Sequence, residues 1–255
     1  MTELQKKFID ILDEYGYDIF SIEMIKNTGK LPLSKIHQAI KTLVRSQMII
    51  RIERGKYYRS NFVDQNVIAN FLAPDGGLAY WTAINYHGLT EQFVNVIFIQ
   101  TSLRKNEEII VNGMRYKIIK INKRKITGYK TIGYGNHKYK ITDLEKTIVD
   151  CFDLPHLAGW YQEIIKAFNN AKINQNRLIK YCKLNNNTSV TKRLGYLSEF
   201  LNKPKMEKFI SYAQSVLNNN YSVFEIDKSR KGKINKRWRL IMNMSEDEIL
   251  EIANS

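Results

Sequence analysis

Residues 48–60 read Met-Ile-Ile-Arg-Ile-Glu-Arg-Gly-Lys-Tyr-Tyr-Arg-Ser. Apolar and charged positions alternate on both sides of Gly55, and the four cations Arg51, Arg54, Lys56 and Arg59 fall within nine residues. Alternation at period two predicts a β-ribbon that turns at the glycine, with Ile50 and Ile52 leading in and Tyr57 leading out. A ribbon with a cationic tip suits a polyanionic surface, or an edge hairpin kept soluble by charge.

What precedes the ribbon decides between these. Leu4, Phe8, Ile11, Leu12 and Tyr15 recur at helical spacing over residues 3–15, and Gly16 is a plausible stop. Ser21 can cap a short helix that ends near Gly29, and Pro32 suits the first position of a longer one. In that longer helix Ile36, Ile40, Leu43 and Val44 make one apolar stripe, which turns Ser34, Lys35, Gln38, Lys41, Thr42 and Arg45 outward. Helix, short helix, longer helix and hairpin is the order of a winged helix-turn-helix. Amide and hydroxyl groups on the outer face can read base edges, and lysine and arginine meet phosphate or guanine. Arg51, Arg54, Lys56 and Arg59 then read as a wing laid against the DNA backbone.

The chain has 255 residues, with 40 cations against 25 anions and a formal charge of +15. A Lys-, Ile- and Asn-rich composition can also follow from an AT-rich genome, so the distribution of charge carries more than its sum. Residues 61–100 hold no cation and three carboxylates, Asp64, Asp75 and Glu91, whereas residues 101–140 hold 11 cations against Glu107 and Glu108 alone. Lys117, Lys120, Lys123, Arg124, Lys125, Lys130, Lys138 and Lys140 alternate there with Tyr116, Tyr129, Tyr134 and Tyr139. Such a block fits a solvated strand face or a surface that binds RNA or further DNA. Two cysteines make no disulfide framework, the charged N-terminus is no signal peptide, and no stretch is apolar enough to span a bilayer. A cytoplasmic address and no membrane partner are the expectation.

Beyond the ribbon, residues 64–73 read as a linking helix closed by the Pro74–Gly77 turn. The expected domains are 1–60, a linker over 61–78, and 79–255. The stretch LAYWTAINYHGLT (78–90) reads as a helix ended at Gly88, 93–101 as a buried strand, and 107–121 as a hairpin hinged on Asn112-Gly113. Thr142 with Glu145 forms a capping-box pattern ahead of the stripe Leu144, Ile148, Val149 and Phe152. Helices follow at 158–170, 174–184, 188–202 and 204–217, then late strands in YSVFEI and RWRLIMNM and a last short helix. The fold class expected is α+β, an N-terminal winged helix-turn-helix followed by a larger mixed α/β domain.

The segments AYWTAINYHGLT (79–90), ITDLEKTIVDCFDLPHLAGWYQEIIKAF (141–168) and TKRLGYLSEFL (191–201), together with RGKYYR after the first three helices, resemble the AbiEi family over nearly the whole chain. These are antitoxins of type IV toxin–antitoxin (abortive infection) systems that also repress their own operons. The resemblance implies that the N-terminal domain binds inverted repeats in promoter DNA. It also implies that the C-terminal domain counteracts a co-encoded nucleotidyltransferase toxin without forming a stable complex with it. The family often has arginine where this chain has Lys146, which keeps the charge but loses the bidentate fork.

Lys146 and Asp150 are i,i+4 neighbours that can pair, and Arg193 could reach the carboxylate of Asp143, Glu145 or Asp150 from a neighbouring helix. With Lys120, Lys123, Arg124 and Lys125 they are the residues singled out in the second domain. Tyr80, Trp81 and Tyr86 read as core aromatics more readily than as a base-stacking platform. His37, His87, His137 and His156 lie far apart, no phosphate-binding loop or nucleophile motif occurs, and Cys151 reads as a small buried hydrophobe. Asp143, Asp150 and Asp153 could hold a divalent ion as nucleases do, but a helix cap and a solvated face account for them without one. The expectation is a binding protein with no catalytic set, metal or cofactor. The rival expectations are a winged-helix regulator with a ligand-sensing or dimerising second domain, and a metal-dependent enzyme acting on nucleic acid.

Overall fold

A computed structural model describes residues 1–92, 95–104 and 106–255, so Phe93 and Val94 of the expected 93–101 strand lie outside the described residues. The fold is mixed α+β. The chain divides into two compact units, one built from residues 1–68 and 132–139, the other from 69–131 and 140–255. Among the described residues no helix is long and apolar enough to cross a membrane.

The first unit contains α1 (Glu3–Tyr15), β1 (Ile19–Ser21), α2 (Ile22–Asn27), α3 (Leu33–Arg45), β2 (Ile49–Glu53) and β3 (Lys56–Arg59). Each helix is bounded by chemistry legible in the residues. Thr2 and Gln5 close a capping box on α1, whose apolar face delivers Phe8, Ile11 and Leu12 to the core. Ser21 caps α2 through the Met24 amide. Pro32 is the cap of α3 and not its first residue, because its extended ψ of 152° precedes the first helical turn.

The ribbon differs from expectation in two ways. It is three-stranded, in the antiparallel order β1-β3-β2. The extra strand is only three residues long, too short for alternation to register. A register shift between Arg51 and Glu53 also breaks the alternation, so Ile49 and Ile52 are buried while Ile50 is half-buried.

Residues 132–139 were expected within the second domain, yet they belong to the first unit. The Asn136 side-chain amide donates to the carbonyls of Tyr15 (2.9 Å) and Gly16 (3.1 Å) where α1 ends. His137 Nε2 lies 2.8 Å from the Asp18 carboxylate, and its ring packs on Phe62 at 5.3 Å. Gly133 sits at φ +88°, and a Cβ there would meet the His137 carbonyl oxygen at 2.1 Å, so this turn needs glycine.

In the second unit run α4 (Gln65–Leu72, shared at the division), β4 (Gly77–Leu78), α5 (Tyr80–Tyr86), β5 (Val96–Thr101), β6 (Glu107–Val111), β7 (Met114–Lys120), β8 (Tyr129–Ile132) and β9 (Tyr139–Thr142). These strands form a six-stranded sheet in the order β6-β7-β5-β4-β9-β8. The β6–β7 turn uses Asn112 (φ 47°) and Gly113 (φ 80°), the pair of positive φ values a two-residue hairpin of this twist requires. The helices α6 (Leu144–Asp153), α7 (Trp160–Asn170), α8 (Gln175–Asn185), α9 (Thr188–Phe200) and α10 (Glu207–Ser215) follow. Last come β10 (Ser222–Val223), β11 (Lys233–Asn235), β12 (Leu240–Met242) and α11 (Glu246–Asn254).

The core of this unit is centred on α6, which is buried on every side from Glu145 to Phe152. The expected Thr142–Glu145 capping box does not form. Asp143 caps the helix by accepting from the Lys146 amide at 3.0 Å, and the Thr142 hydroxyl is engaged with that of Thr147 at 2.7 Å. Glu145 reaches away from its own helix and accepts from the Asn174 amide at 2.8 Å, just ahead of α8.

Packing between α9 and Trp238 is close enough to predict a cost. A Cβ on Gly195 would lie 2.2 Å from Cζ3 and 2.5 Å from Cη2 of the buried Trp238 ring. Gly195→Ala is therefore expected to destabilise the protein by about 1–3 kcal/mol through overpacking, read as a lower urea midpoint.

A second expectation concerns pH. His87 Nε2 lies 2.9 Å from the Thr142 carbonyl oxygen. Burial holds its pKa below the usual 6.5, the nearby carbonyl only partly opposing it. The folded state thus disfavours the imidazolium, and this contribution to stability is whole above pH 6.5 and declines as pH falls below it. Between pH 7.5 and 5.5 the urea midpoint should fall further for the parent protein than for His87→Gln; equal falls would refute the linkage.

Candidate nucleic-acid interface

The amphipathic pattern of α3 fixes which side chains are presented. Ile36, Ala39, Ile40 and Leu43 are buried, and Val44 is half-buried against them. Ser34, Lys35, Gln38, Lys41, Thr42 and Arg45 are exposed, and so is His37. No acidic residue lies on the helix. Among the described residues Lys35, Lys41 and Arg45 have no ion-pair partner. Lys35 Nζ sits 3.5 Å from the Gln38 side-chain oxygen, at the limit of a hydrogen bond. The Thr42 hydroxyl donates to the Ala39 carbonyl at 2.9 Å and so spends its proton on its own helix.

Along the ribbon the four cations part company. Arg51 and Arg54 are exposed, and neither has an ion-pair partner among the described residues. Lys56 pairs with Glu53 at 2.9 Å across the turn. Arg59 lies at the end of β3 away from Gly55, where it is held by Asp13 at 2.6 Å and Asp18 at 3.5 Å, with its side chain only 18% exposed. The expectation that Arg59 belongs to a wing tip is therefore corrected: two carboxylates occupy it and bind the sheet to α1. The tip itself is tied down, because the Gly55 carbonyl accepts from the Ile22 amide at the start of α2 at 2.9 Å.

The basic block over 101–140 is divided between the units, with Tyr134 and Lys138 in the first. Lys120, Lys123 and Arg124 are exposed, but Lys125 forms an ion pair with Asp153 at 2.7 Å. Tyr116 is fully buried, and Lys117 lies 3.9 Å from Glu108 and over the Phe98 ring. Tyr80 is buried and Trp81 half-buried, while Tyr86 is 43% exposed and is no core residue.

Lys146 and Asp150 do pair, but inside the protein. Both are buried, and Gln100 Nε2 donates to the same carboxylate at 3.1 Å. Burial pushes the Asp150 carboxyl above the ordinary range, with the Lys146 ammonium opposing it. The expected solvated acidic face is thus absent at this position, because β5 and its Gln100 cover it. Asp143 also accepts from the Tyr181 hydroxyl at 2.5 Å, and Asp153 accepts from Asn187 at 2.8 Å. Arg193 forms no ion pair with Asp143, Glu145 or Asp150. Its guanidinium donates to the Val223 carbonyl at 2.8 Å and the Phe224 carbonyl at 2.8 Å, and so anchors β10 to α9.

The chain matches no family model and no curated protein. It is similar to a solved structure, the RV2827C protein from Mycobacterium tuberculosis, with a TM-score of 0.67 at 12% sequence identity over 100% of this chain and 96% of that one. At that identity the likeness is one of fold alone.

Proposed function

We propose that the first unit is a winged helix-turn-helix that binds duplex DNA, with α3 entering the major groove and the Arg51–Arg54 side of the ribbon meeting the backbone. The observation that carries the reading is the outer face of α3, where unpaired cations flank Gln38 and no carboxylate intrudes. The β1-β3-β2 order behind three helices supports it. In this reading Lys35, Lys41, Arg45, Arg51 and Arg54 contact phosphates, and Ser34, Gln38 and Thr42 face base edges. We further propose, on the AbiEi resemblance alone, that the DNA is the chain's own promoter and that the second unit opposes a co-encoded nucleotidyltransferase without gripping it.

Two results test this. Gln38→Ala should weaken binding to the inverted repeats upstream of the gene by about 1–3 kcal/mol and leave random duplex almost unaffected; equal losses would make Gln38 a backbone contact. The full chain with Lys35→Gln, Lys41→Gln and Arg45→Gln should release a promoter reporter yet still rescue growth of cells making the toxin. Loss of rescue would refute a division of labour between the units.

A further inference from the structure

Residues 228–239 read Lys-Ser-Arg-Lys-Gly-Lys-Ile-Asn-Lys-Arg-Trp-Arg, seven cations with no acid among them. The fold sorts these cations into two sets. Lys228 is engaged by Glu225 and Glu248, Arg237 by Glu199, and Arg239 by the Tyr221 hydroxyl. Arg230, Lys231, Lys233 and Lys236 are exposed and have no ion-pair partner among the described residues.

The segment bearing this second set is held in place by buried groups. Trp238 is 1% exposed, and its indole N–H donates to Glu199 at 2.7 Å. The Asn243 side chain donates to the carbonyls of Glu225 (2.8 Å) and Ser229 (2.9 Å), pinning both ends of the loop that leads into β11. Gly232 lets this chain cross β12 closely, since a Cβ there would meet the Met242 carbonyl oxygen at 2.2 Å. β11 is an edge strand, paired on one side to β12. Of the four, Lys233 lies on β11, with Arg230 and Lys231 just ahead of it and Lys236 in the turn that follows.

We infer that this ribbon is a second, sequence-independent contact for the phosphate backbone of duplex nucleic acid, carried by Arg230, Lys231, Lys233 and Lys236. Four exposed cations with no ion-pair partner among the described residues supply the counterion-releasing term of such binding, set against Glu246 and Asp247, which line the same cleft as Lys231 and Lys233. A single strand is the poorer occupant, because the one aromatic residue of the run, Trp238, is buried and offers no stacking platform. An acidic protein surface is poorer too: lysine is depleted from protein interfaces, and Ile234 is the only large apolar side chain exposed in the run. The inference does not depend on the role proposed for α3.

The test uses the full chain and random-sequence 30-bp duplexes of DNA and of RNA, with binding followed by anisotropy across a salt series. Replacing Arg230, Lys231, Lys233 and Lys236 by glutamine should lower affinity and reduce the slope of log K against log salt by about 3–4. That change should appear both in the parent chain and in the background carrying Lys35→Gln, Lys41→Gln and Arg45→Gln. Loss in both backgrounds supports the ribbon whatever becomes of the α3 reading, and the DNA and RNA arms show which duplex it prefers. An unchanged slope in both backgrounds overturns the inference. So does polyglutamate that competes as well as duplex at equal charge, since the site would then be indifferent to nucleic acid. The pair Arg230→Gln and Lys236→Gln, expected to remove half the change, repeats the test with less perturbation.

Discussion

Lys146→Met is expected to destabilise the protein by roughly 3–5 kcal/mol, because it strands the Asp150 carboxylate in the interior. Lys146 and Asp150 are both buried, and among the described residues the only other hydrogen bond to that carboxylate comes from Gln100 Nε2 at 3.1 Å. The strain is already visible in the paired state, in which burial raises the Asp150 pKa despite the ammonium beside it. Asp150→Leu should cost a similar amount, since it leaves a buried ammonium. The double variant Lys146→Met with Asp150→Leu should recover much of the loss, as no isolated charge remains. Urea denaturation of the four proteins gives the coupling directly. Additive losses would show that the pair does not act as a unit. In the proposed reading, a double variant that regains stability but no longer rescues growth would give the pair a part in opposing the toxin.

In the proposed reading, neutralising α3 should weaken binding strongly. Each phosphate contact contributes about 0.9 to the slope of log K against log salt, so Lys35→Gln, Lys41→Gln and Arg45→Gln together should lower it by about 2.7. At 0.15 M salt that corresponds to roughly a hundredfold weaker binding, about 3 kcal/mol, on operator and random duplex alike. The three side chains are exposed, with no ion-pair partner among the described residues, so thermal stability should hardly move. An intact salt slope would remove α3 from the interface. Arg59→Gln is a useful contrast: its guanidinium is held by Asp13 and Asp18, so the change should lower stability and leave the slope alone.

Much of this architecture is legible in the residues. The helical stripes, the caps Ser21 and Gly16, and the Asn112-Gly113 turn are local signals, and local chemistry decides them. What escapes is set by partners distant in sequence. The strand Ile19–Ser21 becomes one only by pairing with Lys56–Tyr58. Arg59 looks like a wing residue until Asp13, 46 positions away, is found beside it. Asp150 reads as a solvated acid on a half-polar helix, yet Gln100 and the sheet cover it. Arg193 was expected on a carboxylate, but its charge is satisfied by carbonyls that no side-chain pattern reveals. The cationic segment at 230–236 is a local charge pattern, like the acid-poor block over 101–140, but its flanking apolar residues read as strands.

The return of residues 132–139 to the first unit means that the backbone passes between the units three times, after Ile68, Thr131 and Tyr139. A single proteolytic nick after Thr131 or Tyr139 would leave residues 1–68 covalently joined to the second unit, whereas one after Ile68 would leave them held to residues 132–139 by non-covalent contacts. Exchange of the leading 60 residues between homologues would separate Asp18 from His137 and the end of α1 from Asn136. A transplantable first unit must therefore carry its octapeptide from mid-chain with it, and grafts cut at the obvious linker should emerge poorly folded.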